Sequence, residues 1–248
     1  MNTLQKFLQQ SGVGNRRGIR QMIADGKIKV NGKVITDPGF PVEPASDKFR
    51  LRNKELKLKI EKRRYVVLNK PTGVVSTLSD PQKRRTIRDF LGKIRERLYP
   101  VGRLDYHSEG LMLLTNDGDL ANFIISAKNK VTKTYSIKIK GTLEEGEKKK
   151  LEKGISLEGE RLNPFLIEPI KTTPGGNSWL KVTITEGKKH ILRKAFQYSG
   201  HPVEKLKRIS IGTIQLRKLP PGHWRELTGA ELDFFKRSFR FPEKNRRG

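Results

Sequence analysis

Twenty-seven uncompensated positive charges are what this chain has to fold around, 53 lysines and arginines standing against 26 aspartates and glutamates in 248 residues. Such an excess repels itself in a compact state unless a polyanion meets it, and nucleic acid is the usual one. The imbalance runs along the chain, with 14 Lys+Arg against 6 Asp+Glu up to Lys62 and 39 against 20 beyond it. Two segments gripping one polyanion fit that spread better than a neutral body with a charged tail. An apolar share of 34%, with 23 glycines, is ordinary for a globular chain. No apolar run approaches the roughly 20 residues that span a bilayer, and neither a secretory signal nor a long basic amphipathic helix stands out. The expected setting is the cytoplasm, away from membranes. Cysteine is absent, which excludes disulfides, thiolate catalysis and cysteine-held metals.

The first 35 residues carry a compact pattern. Leu4, Phe7 and Leu8, then Ile19, Met22 and Ile23, fall at helical spacing, and the stretch from Ser11 to Asn15 breaks the two helices apart. Gly26 ends the second helix. Residues 27–30 and 33–35 alternate in the strand manner around Asn31-Gly32, the strongest short hairpin signal. Arg16, Arg17 and Arg20 lie off the apolar stripe and near Lys27, Lys29 and Lys33 in the chain, so this face is expected to bind RNA. The order helix, helix, hairpin and the text "SGVGNRRGIRQMIADGKIKVNGKVI" resemble the alpha-L RNA-binding domain of the ribosomal protein S4 type, over about Asn2 to Leu58. Residues 56–60 alternate as a strand or an extended connection. The expected division is a small domain and linker over 1–62, a larger domain over 63–241 and a frayed basic tail over 242–248.

In the larger segment, apolar runs at 65–68, 111–114, 135–139 and 179–184 predict strands, and the patterns at 86–98, 120–126, 143–153 and 190–199 predict helices. The two kinds are intermixed without steady alternation, which favours an α+β domain built on a largely antiparallel sheet. Familiar site patterns fail. Gly12-Val13-Gly14 precedes no βαβ unit, no Walker loop exists, and Ser108 has Tyr106 where a nucleophile elbow needs glycine. His107, His190, His201 and His223 never pair four residues apart, so no metal is expected.

The most informative stretch runs from Val101 to Gly118: a polar loop holding Arg103 and Asp105, a strand, then an expected turn at Asn116-Asp117-Gly118. Loops held at the end of a rigid strand are where catalytic side chains usually sit, although such an aspartate can equally cap a turn. The run "GRLDYHSEGLMLLTNDGDLA" closely resembles the signature of the RsuA/RluB/RluE/RluF family of ribosomal-RNA pseudouridine synthases. Further blocks agree in order: "LNKPTGVVST" from Leu68, "KTYSI" from Lys133, "EGKKHILRKAF" from Glu186, "LKRISIGTIQL" from Leu206 and "LPPGHWREL" from Leu219. The resemblance implies a small alpha-L domain followed by a synthase domain with a mixed, largely antiparallel sheet and a central cleft. It implies isomerisation of a ribosomal uridine, more readily in 23S than in 16S RNA, a reaction that needs no redox or added energy and so no cofactor. A monomer is expected because no coiled-coil pattern or other oligomer signal is visible. A non-catalytic ribosomal-RNA binder and a metal-dependent hydrolase are the competing readings.

By the same resemblance Asp105 is the catalytic carboxylate and Arg103 organises its loop. Tyr135 packs on the target base, Leu192 lines the pocket, and Arg193 pairs with the carboxylate. A free aspartate titrates at about 3.9 and a nearby guanidinium lowers that, so such a pair would keep Asp105 anionic. The family's usual Arg-Asn-Arg-Gln-Ile-Arg-Arg becomes Lys188-Lys189-His190-Ile191-Leu192-Arg193-Lys194 here, a departure that touches RNA contacts rather than the carboxylate. Lys70, Arg84, Arg85, Lys188, Lys189, Lys207 and Arg208 are expected to bind phosphates.

Overall fold

The computed structural model describes residues 2–52, 54–56, 61–92, 94 and 96–242. The expected tail from Glu243 and the connection 57–60 lie outside the described residues. Two compact units emerge, one of residues 1–64 and 95–97, the other of 65–94 and 98–248.

In the first unit, α1 (Leu4–Gln10) and α2 (Arg16–Ala24) bury Leu4, Phe7, Leu8, Ile19 and Ile23 against a four-stranded sheet. Its strands are β1 (Ile28–Val30), β2 (Lys33–Val34), β3 (Phe49–Leu51) and β4 (Lys54–Leu56), all antiparallel in the order β2-β1-β3-β4. Thr3 caps α1 and Asn15 caps α2, each accepting from a backbone N–H of the first turn. Asn31 and Gly32 take φ of 51° and 82°, the geometry of a tight hairpin. The apolar stripe of α2 faces inward, which leaves Arg16, Arg17 and Arg20 exposed together.

The second unit holds β5 (Tyr65–Lys70), β6 (Glu109–Thr115), α3 (Gly118–Ile125), β7 (Lys133–Ile139), α4 (Glu145–Lys153), β8 (Leu166–Thr172), β9 (Ser178–Ile184), α5 (Ile191–Tyr198), β10 (Val203–Ile211), β11 (Trp224–Glu226) and α6 (Gly229–Ser238). The sheet runs β8-β9-β7-β10-β6-β5-β11, with two short strands paired at its side. Every pairing is antiparallel except β10 with β6. This is the α+β class with a mixed, largely antiparallel sheet, as the pattern predicts. Both faces are covered: Val66, Leu68, Met112 and Leu114 pack into one core, Val67, Leu111 and Leu113 into another. That double burial is why residues 111–114 are continuously apolar.

Two local expectations change. Of the helix predicted over 86–98, the described residues form a single 3-10 turn, Ile87–Phe90, started by a Thr86/Asp89 capping box and stopped at Gly92, which takes φ 51°. The turn at 116–118 is instead a helix start, because the Asp117 carboxylate accepts from Leu120 N at 3.2 Å. Among the described residues no helix is long and apolar enough to cross a membrane.

Where β10 runs beside β6, Arg208 sits opposite Gly110. Gly110 takes φ 105° and a Cβ there would collide with the Arg208 backbone, so only glycine permits this approach. The crossing sets the end of β6 that carries the polar loop 101–108 against the middle of β10.

Candidate active site

Asp105 sits in a loop pinned almost wholly through its backbone. Ser76 Oγ donates to Leu104 O at 2.5 Å and accepts from Leu104 N at 3.1 Å; Gly73 N donates to Tyr106 O at 2.9 Å and Ser108 N to Asp105 O at 3.0 Å. Lys70, at the end of β5, enters underneath. Its Nζ donates to Ser108 O at 2.8 Å, Pro71 O at 3.0 Å and Asp105 O at 3.2 Å, and the residue is 0% exposed. Burial pushes this ammonium from its ordinary 10.5 down to about 8, while the charges of Asp105 and Glu109 pull the other way. The expectation that Lys70 binds phosphate is therefore corrected: no solvent reaches it, and its donors are spent holding the loop.

One cavity of about 430 Å³ opens beside this loop, and Asp105, Tyr135, Leu192 and Arg193 all line it. Arg103, Lys188, Lys189 and Arg208 line it too, with His190 and Lys133. The Asp105 side chain is 38% exposed and Tyr135 only 8%. Tyr135 lies on β7 directly across from Arg208 on β10 and Val182 on β9, so the sheet fixes its ring at the cavity wall.

The partner of the carboxylate differs from the expected one. His190 takes a left-handed backbone, φ 56°, just ahead of α5, and its Nε2 stands 3.3 Å from Asp105 Oδ1. Among the described residues Asp105 and Arg193 form no ion pair. Arg193, a turn further on, spends its fork on carbonyls, Nη1 to Val203 O at 2.9 Å and Nη2 to His107 O at 3.3 Å. It ties α5 to both β10 and the loop of Asp105, because a planar fork in reach of two well-placed carbonyls satisfies both.

The expected phosphate-binding cations divide by what they already hold. Arg208 is 4% exposed and its Nε donates to Leu111 O at 2.7 Å, so it lies too deep in the cavity wall to grip a phosphate of a strand outside. Arg84 grips Asp80 with two bonds of 2.8 and 3.0 Å, and Arg85 lies over the Phe90 ring at 4.5 Å. Lys188 is engaged by Glu160 at 2.9 Å and Glu186 at 3.6 Å, and Lys27 by Asp25 at 2.7 Å. Arg103 and Lys189 are exposed at the cavity, and Lys207 and Lys29 are half-buried.

His190, Lys133 and Glu186 are ionisable cavity residues to which the sequence assigned no catalytic or binding role. Lys133 was findable: two positions from Tyr135 on a strand, it shares that ring's face.

Among proteins of known sequence, a family model described as RNA pseudouridylate synthase matches residues 64–198, and one described as the S4 domain matches residues 3–47. A Bacillus subtilis protein named ribosomal large subunit pseudouridine synthase B is 40% identical over 237 residues, 94% of each chain. An Aquifex aeolicus protein described as an uncharacterized RNA pseudouridine synthase is 40% identical over 230 residues, 92% of this chain and 91% of that one. A solved structure described as the crystal structure of pseudouridylate synthase superposes with a TM-score of 0.66 at 29% identity, covering 94% of this chain and 99% of that one. A pinned aspartate loop opening on a cavity, in a chain that matches these relatives nearly end to end, leads to one conclusion: the chain belongs to the RNA pseudouridylate synthase family, isomerases acting on RNA, and carries an S4 domain at its N-terminal side.

Proposed function

We propose that this chain isomerises a uridine of 23S ribosomal RNA, working as a cytoplasmic monomer, with Asp105 as the carboxylate that acts on the extruded nucleoside. What carries the reading is that Asp105, Tyr135, Leu192 and Arg193, from three separate stretches, line a single cavity. The large-subunit target rests on the name of the Bacillus subtilis relative. The reaction breaks the bond from C1′ to N1 and rejoins C1′ to C5 of the same base, so it needs no redox partner, cofactor or added energy. Arg103 and Lys189 at the cavity and Arg16, Arg17 and Arg20 on α2 supply cations for the phosphates. Mapping pseudouridines in ribosomal RNA from cells with and without this chain is the direct test. A site lost from 23S RNA supports the reading; an unchanged map, or a loss confined to 16S RNA, overturns it.

A uridine must leave its stack to reach Asp105, and an aromatic platform offsets part of that cost, at about 1–3 kcal/mol per base. Tyr135→Ala is expected to slow turnover roughly 10- to 100-fold while RNA affinity stays within about threefold, because phosphate contacts dominate affinity. Wild-type turnover in single-turnover assays would remove the stacking role. Replacing Arg16, Arg17 and Arg20 by glutamine together is expected to flatten the plot of log affinity against log salt by about 2, at roughly 0.7 for each phosphate no longer neutralised. A filter-binding salt series that keeps its wild-type slope would take the helix face out of the RNA interface.

A further inference from the structure

Lys133 and Arg208 line the same cavity as Asp105 and Glu186, whose carboxylates are engaged by His190 and Lys188 instead. Lys133 is 7% exposed, and its Nζ reaches only Ile124 O at 3.4 Å and Thr185 O at 3.5 Å, both at the long edge of a hydrogen bond. Arg208 keeps Nη2 buried and unpartnered. Neither forms an ion pair among the described residues, although a buried cation is costly unless a counter-charge compensates it. Burial, and then the charge of Arg208, push the Lys133 ammonium down to about 8. Lys133 sits two residues from Tyr135 on one face of β7, roughly 7 Å along the strand, the span of a pyrimidine and a hydrogen bond.

The anion such a pair awaits is not present in the uridine that enters, since uracil is neutral. Phosphates belong to the strand outside, where Arg103 and Lys189 are exposed. Beyond the fixed carboxylates of Asp105 and Glu186, new negative charge develops inside the cavity only when the bond from C1′ to N1 breaks with both electrons left on the base, giving the uracil monoanion. From this geometry we infer that Lys133 is a catalytic residue that stabilises the departing uracil anion, with Arg208 behind it reinforcing the field. The anion then gives C5 to C1′, the C5 proton leaves and N1 takes one up, so atoms and electrons balance. The step is the same whether Asp105 attacks the sugar or first deprotonates it. A fixed cation that meets charge only as it forms favours the transition state over the substrate.

This inference rests on the assignment of Asp105, and the test keeps the two apart. The full-length chain, as wild type, K133M, K133R and D105N, is given RNA carrying uridine or 5-fluorouridine at the target. Loss of the N-glycoside is followed in single turnover beside RNA affinity and melting temperature. Fluorine stabilises the base anion, so a lost cation matters less. K133M is expected to be at least about 100-fold slow on uridine, at least about tenfold less impaired on 5-fluorouridine, and unchanged in affinity, with K133R recovering most of the rate. K133M at the wild-type rate, K133M equally slow on both RNAs, or K133R as slow as K133M with an unchanged melting temperature, each overturns the inference while an inert D105N leaves the Asp105 assignment standing. An active D105N overturns that assignment instead.

Discussion

Asp105→Asn is expected to abolish conversion, by at least about 10³-fold, while RNA affinity stays within about twofold and the fold is unchanged. The amide fills the same volume but carries no charge and neither attacks a sugar carbon nor takes a proton from it, and groups in those roles are worth at least about 10²–10⁴. The loop does not depend on that side chain. It is tied by Ser76, Gly73, Ser108 and Lys70 through backbone atoms. The carboxylate is 38% exposed against a 42% exposed His190, so stability should shift by no more than about 0.5 kcal/mol. Single-turnover conversion within tenfold of wild type would strip Asp105 of its role; a collapse in affinity would make it a binding residue.

Lys70→Met should damage both stability and rate. Methionine matches the length but donates nothing, leaving the carbonyls of Pro71, Asp105 and Ser108 unsatisfied in a site with no solvent access. With some relaxation the cost is about 2–4 kcal/mol, or roughly 5–15 °C in melting temperature for a chain of this size. Even in the folded fraction the carboxylate is left poorly aimed, and a misplacement of about 1 Å costs on the order of 100-fold in rate. A pH signature accompanies the lysine, alongside an equal one from Lys133, which also sits at about 8. The folded value of Lys70, about 8, lies below the ordinary 10.5, so between these pH values the unfolded chain binds the proton that the native chain has released, and stability rises with pH. Denaturant titrations should show that rise in wild type and a weaker one in K70M. A K70M protein with wild-type melting and rate would mean that the three bonds support nothing.

The parts of this molecule that are written locally are legible in the sequence. The Asn31-Gly32 hairpin, the α2 stripe and the apolar runs of β5, β6, β7 and β9 each state their own geometry within a few residues. Strand β8 is less plain, since all but one of its residues are exposed and Pro169 interrupts it. In β10 a buried Arg208 occupies a position where alternation calls for an apolar side chain. Local sequence overstated the helix at 86–98, where Gly92 prevailed over the flanking helix formers. At the site, Asp105, Tyr135, Leu192 and Arg193 are recognisable from their text, but their partners are not. Whether Lys70 meets phosphate or carbonyl depends on a loop 35 residues later, and whether Arg193 meets Asp105 depends on how α5 begins. Distance in sequence separates a cation from its eventual counterpart, and composition is blind to it.

The parallel seam of the large sheet, Arg208 beside Gly110 and bonded to Leu111 across 97 residues, has a temporal consequence. Pairings of such separation form only after the intervening chain is available, and at about 5–20 residues per second Arg208 emerges from the translating ribosome roughly 5–20 s after Asp105. Nascent chains in that interval display the carboxylate without its wall. The cavity around Asp105 is thus incomplete until the strand carrying Arg208 has been made.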